Sequence, residues 1–242
     1  MVRDLAIAAH GGLDRWSRIE SVDARVAVSG ALFELKGYPA GLGGTVEVSA
    51  DTGRPRATVV PLPNGAEGFF DGNRVVITPA DGRQEGRDGV RASFAGLAPD
   101  APWDDFRLLY FAGYAMWNYL LTPFLLRWPG FKLEEVAPWR EAGETWRRLR
   151  AEFPADIPTH CPEQTFYFDE RGLLRRLDYS PEVVGIQGSV GAAHYCDDHE
   201  TFSGLVVPTR RRVFLRRDDG TPVTGQPVVE IEVEDVIGKE YS

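Results

Sequence analysis

The stretch YFAGYAMWNYLLTPFLLRWPGF, residues 110–131, carries eight aromatic side chains and one charge, Arg127. Whether it crosses a membrane, fills a core or covers a cavity decides how the rest of the chain is read. Upstream, Trp103 and Phe106 join Tyr110, Tyr114, Trp117 and Leu121 at a spacing of three to four, which predicts a helix from Trp103 to about Leu121. Leu108, Phe111, Ala115, Met116 and Tyr119 make the opposite face apolar as well. A helix that is apolar all round is covered on both sides, by protein, lipid or ligand. Pro123 kinks or ends it, and Pro129-Gly130 closes the segment. Leu108 to Leu126 is an uncharged run of 19 residues between two arginines, long enough to span a bilayer. Asn118, Thr122 and Pro123 inside it, and aromatics at its centre rather than its ends, argue against a span.

On both sides the period changes from helical to alternating. VDARVAVSGALFELKG alternates, and GTVEVSA pairs with RATVVPL across residues 51–54. GFF and RVVIT flank Asp71-Gly72-Asn73, a hairpin signature. A polar loop, residues 81–89, leads to VRASFAG, the next strand signal. After the apolar segment come TWRRLRAEF, then QTFYFDERGLLRRLDY with its turn at residues 169–172, PTRRRVFLRRDDG and PVVEIEVEDV. Before them all, Asp4 to about Arg18 reads as a short helix weakened by Gly11-Gly12, two short turns or a bent rod. The expected fold is mainly β. About eleven antiparallel strands curl into an incomplete barrel, with a short N-terminal helix and an aromatic helical lid. Its parts within one domain, 1–242, are the helix 4–18, first strands 22–97, lid insertion 99–131 and remaining strands 132–238.

Composition narrows the function. With 242 residues, 43% hydrophobic and 26% charged, the chain can bury a real core. A net charge of −9 argues against sequence-independent nucleic-acid binding and against a standing attraction to anionic membranes. Leu5 to Ala9 is too short an apolar run for a secretory signal, so a cytoplasmic location is expected. Cys161 and Cys196 have no CxxC spacing, so neither a disulfide framework nor a zinc knuckle is expected.

The order of elements, with HGG…W at residues 10–16, GETWRRLRAEFP at 143–154, THCPEQTFYFDERGLLRRLDY at 159–179 and VVPTRRRVF at 206–214, resembles the lipoprotein-carrier fold of the LolA, LolB and LppX type. The resemblance covers about residues 8–236. It implies an open barrel with a helical lid and an apolar cavity between them. On that resemblance Trp103, Phe106, Tyr110, Phe111, Tyr114, Trp117, Tyr119, Phe124 and Trp128 would line the cavity, with Asn118 among the polar tips.

No GxSxG, HExxH, P-loop or GxGxxG occurs, and no cofactor or metal is expected. His194 and His199 are five residues apart and would face opposite sides of a strand, a poor metal pair. HYCDDHE, residues 194–200, reads as a strand end and an acidic turn, and Arg210, Arg211 and Arg212 as a solvated strand face. His160, Glu163, Tyr179 and His194 are the candidates for acid–base work in a greasy cavity, where burial raises a carboxyl pKa and lowers that of histidine. Three functions remain: binding of a lipophilic small molecule, a cofactor-free cyclase or isomerase of a hydrophobic polyketide or terpenoid, and an interaction module.

Overall fold

The computed structural model describes residues 1–182 and 191–241. Thirteen strands form one antiparallel sheet. The first six are β1 (Ile19–Ser29), β2 (Thr45–Asp51), β3 (Arg56–Val60), β4 (Glu67–Asp71), β5 (Arg74–Thr78) and β6 (Glu85–Asp88). The others are β7 (Lys132–Glu141), β8 (Glu144–Glu152), β9 (Glu163–Phe168), β10 (Leu174–Tyr179), β11 (Gly191–Phe202), β12 (Leu205–Arg216) and β13 (Val229–Glu240). Their order in space is β6-β5-β4-β3-β2-β1-β13-β12-β11-β10-β9-β8-β7. The chain starts in the middle and steps outward to β6. It then crosses to the opposite edge at β7 and steps back until β13 pairs with β1.

That topology explains the greasy segment. The single long crossover carries α4 (Asp105–Leu121), which therefore runs inside the curl of an unclosed sheet. Every residue from Leu108 to Leu121 is buried. Asp104 caps the helix by accepting the Arg107 backbone N–H at 2.9 Å. At its other end Pro123 has no N–H to offer the Tyr119 carbonyl, and the buried Arg211 guanidinium donates to it at 3.2 Å. No helix among the described residues is long and apolar enough to cross a membrane.

The contact between α4 and β4 depends on Gly113: a Cβ there would lie 2.5 Å from Phe70 Cβ. Alanine favours a helix over glycine by about 1 kcal/mol, but overpacking a filled core costs about 1–3 kcal/mol. Gly113→Ala is therefore expected to lower the urea midpoint. An unchanged or raised midpoint would show that Phe70 has room to move.

Several local expectations are corrected. The strand pattern through residue 37 stops at Ser29, and Ala31–Leu35 form a helix, α3. Gly30 takes φ 126, and a Cβ there would sit 2.6 Å from the Val228 carbonyl. The chain is thus turned off the sheet, and Leu32 N–H donates to that carbonyl at 2.9 Å. VRASFAG holds a 3-10 turn, Val90–Phe94, while β6 lies in the expected loop 81–89. HYCDDHE belongs to the middle of β11. Arg210 follows the solvated reading, Arg212 is half-buried and ion-paired with Asp197, and Arg211 faces inward and is buried. The N-terminal helix is two, α1 (Val2–Ala9) and α2 (Gly12–Trp16), broken at Gly11-Gly12. Both sheet edges are blunted: β6 is four residues, and β7 carries Pro138 and a register shift between Val136 and Trp139.

Candidate functional site

The loop between β8 and β9 delivers His160 to the interior. Its prolines at 154, 158 and 162 stiffen it, and α4 holds it through Asn118 Nδ2, which donates to the Pro158 carbonyl at 2.8 Å. Arg91 Nη1 donates to the Thr159 carbonyl at 2.6 Å, and the Ser180 N–H donates to Cys161 Sγ at 3.2 Å. So pinned, His160 is buried against α4 and β10.

Around it stands a cluster of phenols. The Tyr114 hydroxyl lies 2.9 Å from His160 Nδ1, and the Tyr119 hydroxyl 2.7 Å from Nε2. The Tyr179 ring stacks on the imidazole with centroids 4.0 Å apart, its hydroxyl 3.3 Å from that of Tyr119. His194, on the inner face of β11, meets Tyr119 edge-on at 4.7 Å. Both its ring nitrogens are buried without a hydrogen-bond partner among the described residues. Burial, aided by the charge of Arg91, depresses the His160 pKa to about 3. Burial also carries His194 well below its ordinary value, with Arg211 adding to it. Burial raises all three phenols, so the cluster is neutral at pH 7.

Beside the cluster lies a cavity of about 210 Å³. His160, Tyr179 and Phe111 form one side, Ala192 and Val213 the sheet wall, and Leu32 of α3 the cover. A second cleft, about 440 Å³, runs along the β8–β9 loop and includes Tyr110, Arg91, Asn73 and Asp156. The larger cleft has charged and amide groups in its wall and suits an apolar molecule poorly; the smaller has an aliphatic wall with a few polar groups at one end, the usual form of a small-molecule site.

The residues named from sequence separate accordingly. His160, Tyr179 and His194 come together. Glu163 is exposed at the start of β9, outside the cluster. Of the aromatic segment, Phe111 forms cavity wall and Tyr110 borders the other cleft. Tyr114 and Tyr119 are hydrogen-bonded to His160 instead of standing free as polar tips, and Asn118 is spent on the Tyr114 and Pro158 carbonyls. Trp103 packs on Phe94 and Phe111, Phe106 lies under Arg87, and Phe124 stacks on Trp16 at 4.1 Å. Trp117 packs on Trp128 and donates to the Asp51 carbonyl. Most of the expected lid is thus core, because α4 runs inside the sheet rather than across its mouth. The cover is α3, which sequence periodicity assigned to a strand. Leu32, Ala192 and Val213 were missed; for the last two, inward positions in alternating strands were the available signal.

Neither thiol is activated: burial lifts both Cys161 and Cys196 to about 11. Among the described residues no group of His, Cys, Asp or Glu side chains is placed to hold a metal.

No family model matches the sequence. No curated protein matches it either. Solved structures do. A LolA superfamily protein from Nitrosomonas europaea superposes with a TM-score of 0.54 at 9% identity, over 100% of this chain and 93% of the other. A domain assigned to outer membrane lipoprotein sorting from Vibrio parahaemolyticus gives 0.51 at 10% identity, over 97% and 92%. The fold is a LolA-like half-barrel.

Proposed function

We propose that the chain binds a lipophilic small molecule in the cavity between α3, Phe111 and the inner face of β10 to β13. The carrying observation is that hollow, aliphatic on most sides, between α3, Phe111 and the sheet. Its volume of about 210 Å³ is below the roughly 300–1,000 Å³ usual for drug-sized ligands. It admits one chain segment or a small ring system, with the rest of a larger molecule projecting past Leu32 and Leu35. At about 0.8 kcal/mol per buried methylene, a segment of about six would gain roughly 5 kcal/mol before the cost of immobilisation. The lipoprotein-sorting role given to the Vibrio domain supports a lipophilic cargo as the class of ligand.

The test is Nile red titration of the wild type and Ala192→Trp. Ala192 is buried in the cavity wall, and an indole there would occupy the space. Binding is expected to weaken at least tenfold in the variant, with the urea midpoint checked separately. Equal affinity in both would place the dye, and the site, elsewhere.

A second reading, acid–base catalysis on a hydrophobic substrate, draws on His194 next to the phenols, its nitrogens without a partner among the described residues. Against it, burial moves the cluster's groups away from neutrality, where a general acid or base works best. Unchanged turnover in both His160→Ala and His194→Ala would remove it.

A further inference from the structure

The cluster at the cavity has more hydrogens to donate than its own contacts can use. Each tyrosine hydroxyl carries one, and a neutral imidazole carries one on a ring nitrogen. Tyr114, Tyr119, Tyr179 and His160 thus hold four. They make three mutual contacts: Tyr114 to Nδ1, Tyr119 to Nε2, and Tyr119 to Tyr179. Each contact takes one hydrogen, so one is left over.

Where it ends up follows from packing. If His160 donates from Nδ1, the spare hydrogen falls on Tyr114, which is buried against Tyr110 and Phe111. If His160 donates from Nε2 to Tyr119, the spare hydrogen falls on Tyr179 when Tyr119 donates to it, or on Tyr119, which is outside the cavity wall, when Tyr179 donates instead. Tyr179 and His160 are the two members of the cluster in the cavity wall. Leaving the spare hydrogen on Tyr179 puts the donor on a residue of the cavity wall, where a ligand can accept it, and a buried donor without a partner is costly. The charged groups whose fields reach the two histidines, Arg91 and Arg211, are both cations and favour an electron-rich atom there. His194, whose nitrogens have no partner among the described residues, offers a further N–H beside Tyr179.

We infer that the ligand is not a pure hydrocarbon but an apolar molecule bearing a carbonyl oxygen, which accepts a hydrogen bond from Tyr179 at the polar end of the cavity. This rests on the proposed binding function and narrows its ligand class.

Two small probes separate the two claims: n-nonane and 2-octanone carrying ¹³C at the carbonyl. Affinities come from headspace partitioning, and the bound carbonyl band from infrared spectroscopy. In the wild type the ketone band is expected below its position in heptane. Tyr179→Phe should weaken the ketone about tenfold, the worth of one good hydrogen bond. It should also return the band toward the heptane value, and the urea midpoint, measured separately, shows that the variant is folded. If nonane and ketone both bind but Tyr179→Phe alters neither affinity nor band, the carbonyl assignment is overturned and the cavity stands. If neither probe binds the wild type, the binding function itself fails and takes the assignment with it.

Discussion

Between pH 7 and pH 5 the protein is expected to lose about 4 kcal/mol of stability through His10 and His160 alone. Both are buried and neutral: burial holds His10 at about 4 and His160 at about 3, against an ordinary value of 6.5. A histidine with a depressed folded-state pKa binds its proton more readily when unfolded. Its contribution is full above pH 6.5, falls as pH drops below that, and stops changing below the folded value. At pH 5, 1.5 units under 6.5, each forfeits about 2 kcal/mol at roughly 1.4 kcal/mol per unit. His194 acts with the same sign, and so does the partly exposed His199, held at about 4 by burial and the nearby His10. Domains of this size are typically stable by about 5–15 kcal/mol, so mild acid removes a large share. The window separates histidines from carboxylates: the lowered carboxyl of Asp104, opposed by burial but held down by Arg87, matters only nearer pH 4 and below. Urea midpoints at pH 7, 6 and 5 test this. A steady fall is expected, and a flat profile would mean that water reaches these rings in the folded state.

The second large effect lies on the other face of the sheet. Arg176 is fully buried, its Nε and Nη2 donating to Asp178 at 2.6 and 2.9 Å and its Nη1 to Glu141 at 3.0 Å. Trp139, Tyr167 and Tyr195 surround the guanidinium, and the Tyr167 hydroxyl donates to Asp178 at 2.8 Å. Burial alone would lower the arginine's pKa, but the hydrogen bonds and charge of Asp178 raise it. Removing one partner of a buried, hydrogen-bonded pair costs about 3–5 kcal/mol, because the other charge stays behind. Arg176→Met should lose that much in chemical denaturation, and adding Asp178→Asn should recover part of it. A loss under about 1 kcal/mol would show that water or Arg216, 3.5 Å from Asp178, compensates.

These two sites show what the sequence made legible. Alternation marked most strands, and Asp71-Gly72-Asn73 marked the β4–β5 turn, because both signals are local. ALFEL failed because five residues fit either period, and the deciding fact, Gly30 against the Val228 carbonyl, is nearly 200 positions away. The four residues of β6 gave too little pattern, while β11 was read as a strand end because polar residues fill its second half. The stretch from Trp103 to about Leu121 was correctly read as a helix covered on both sides. Periodicity could not say that the cover is mostly β2 to β5, with a cavity beside Phe111. His160 and Tyr179 were named separately as polar groups in a greasy setting. Their partners Tyr114 and Tyr119 lie 46 and 41 positions from His160, a pairing set by the β8–β9 loop and not by any motif.

The central claim is that the space beside Phe111 holds an apolar molecule. Methyl-labelled protein saturated with n-nonane, followed by intermolecular NOEs, tests it most directly. Contacts are expected to Leu32, Val213 and Val229, which border the cavity. They are not expected to Leu109, which packs on β4 at the far side of α4. Bound nonane with NOEs confined to the Leu109 side, or no NOEs at all, would contradict the account.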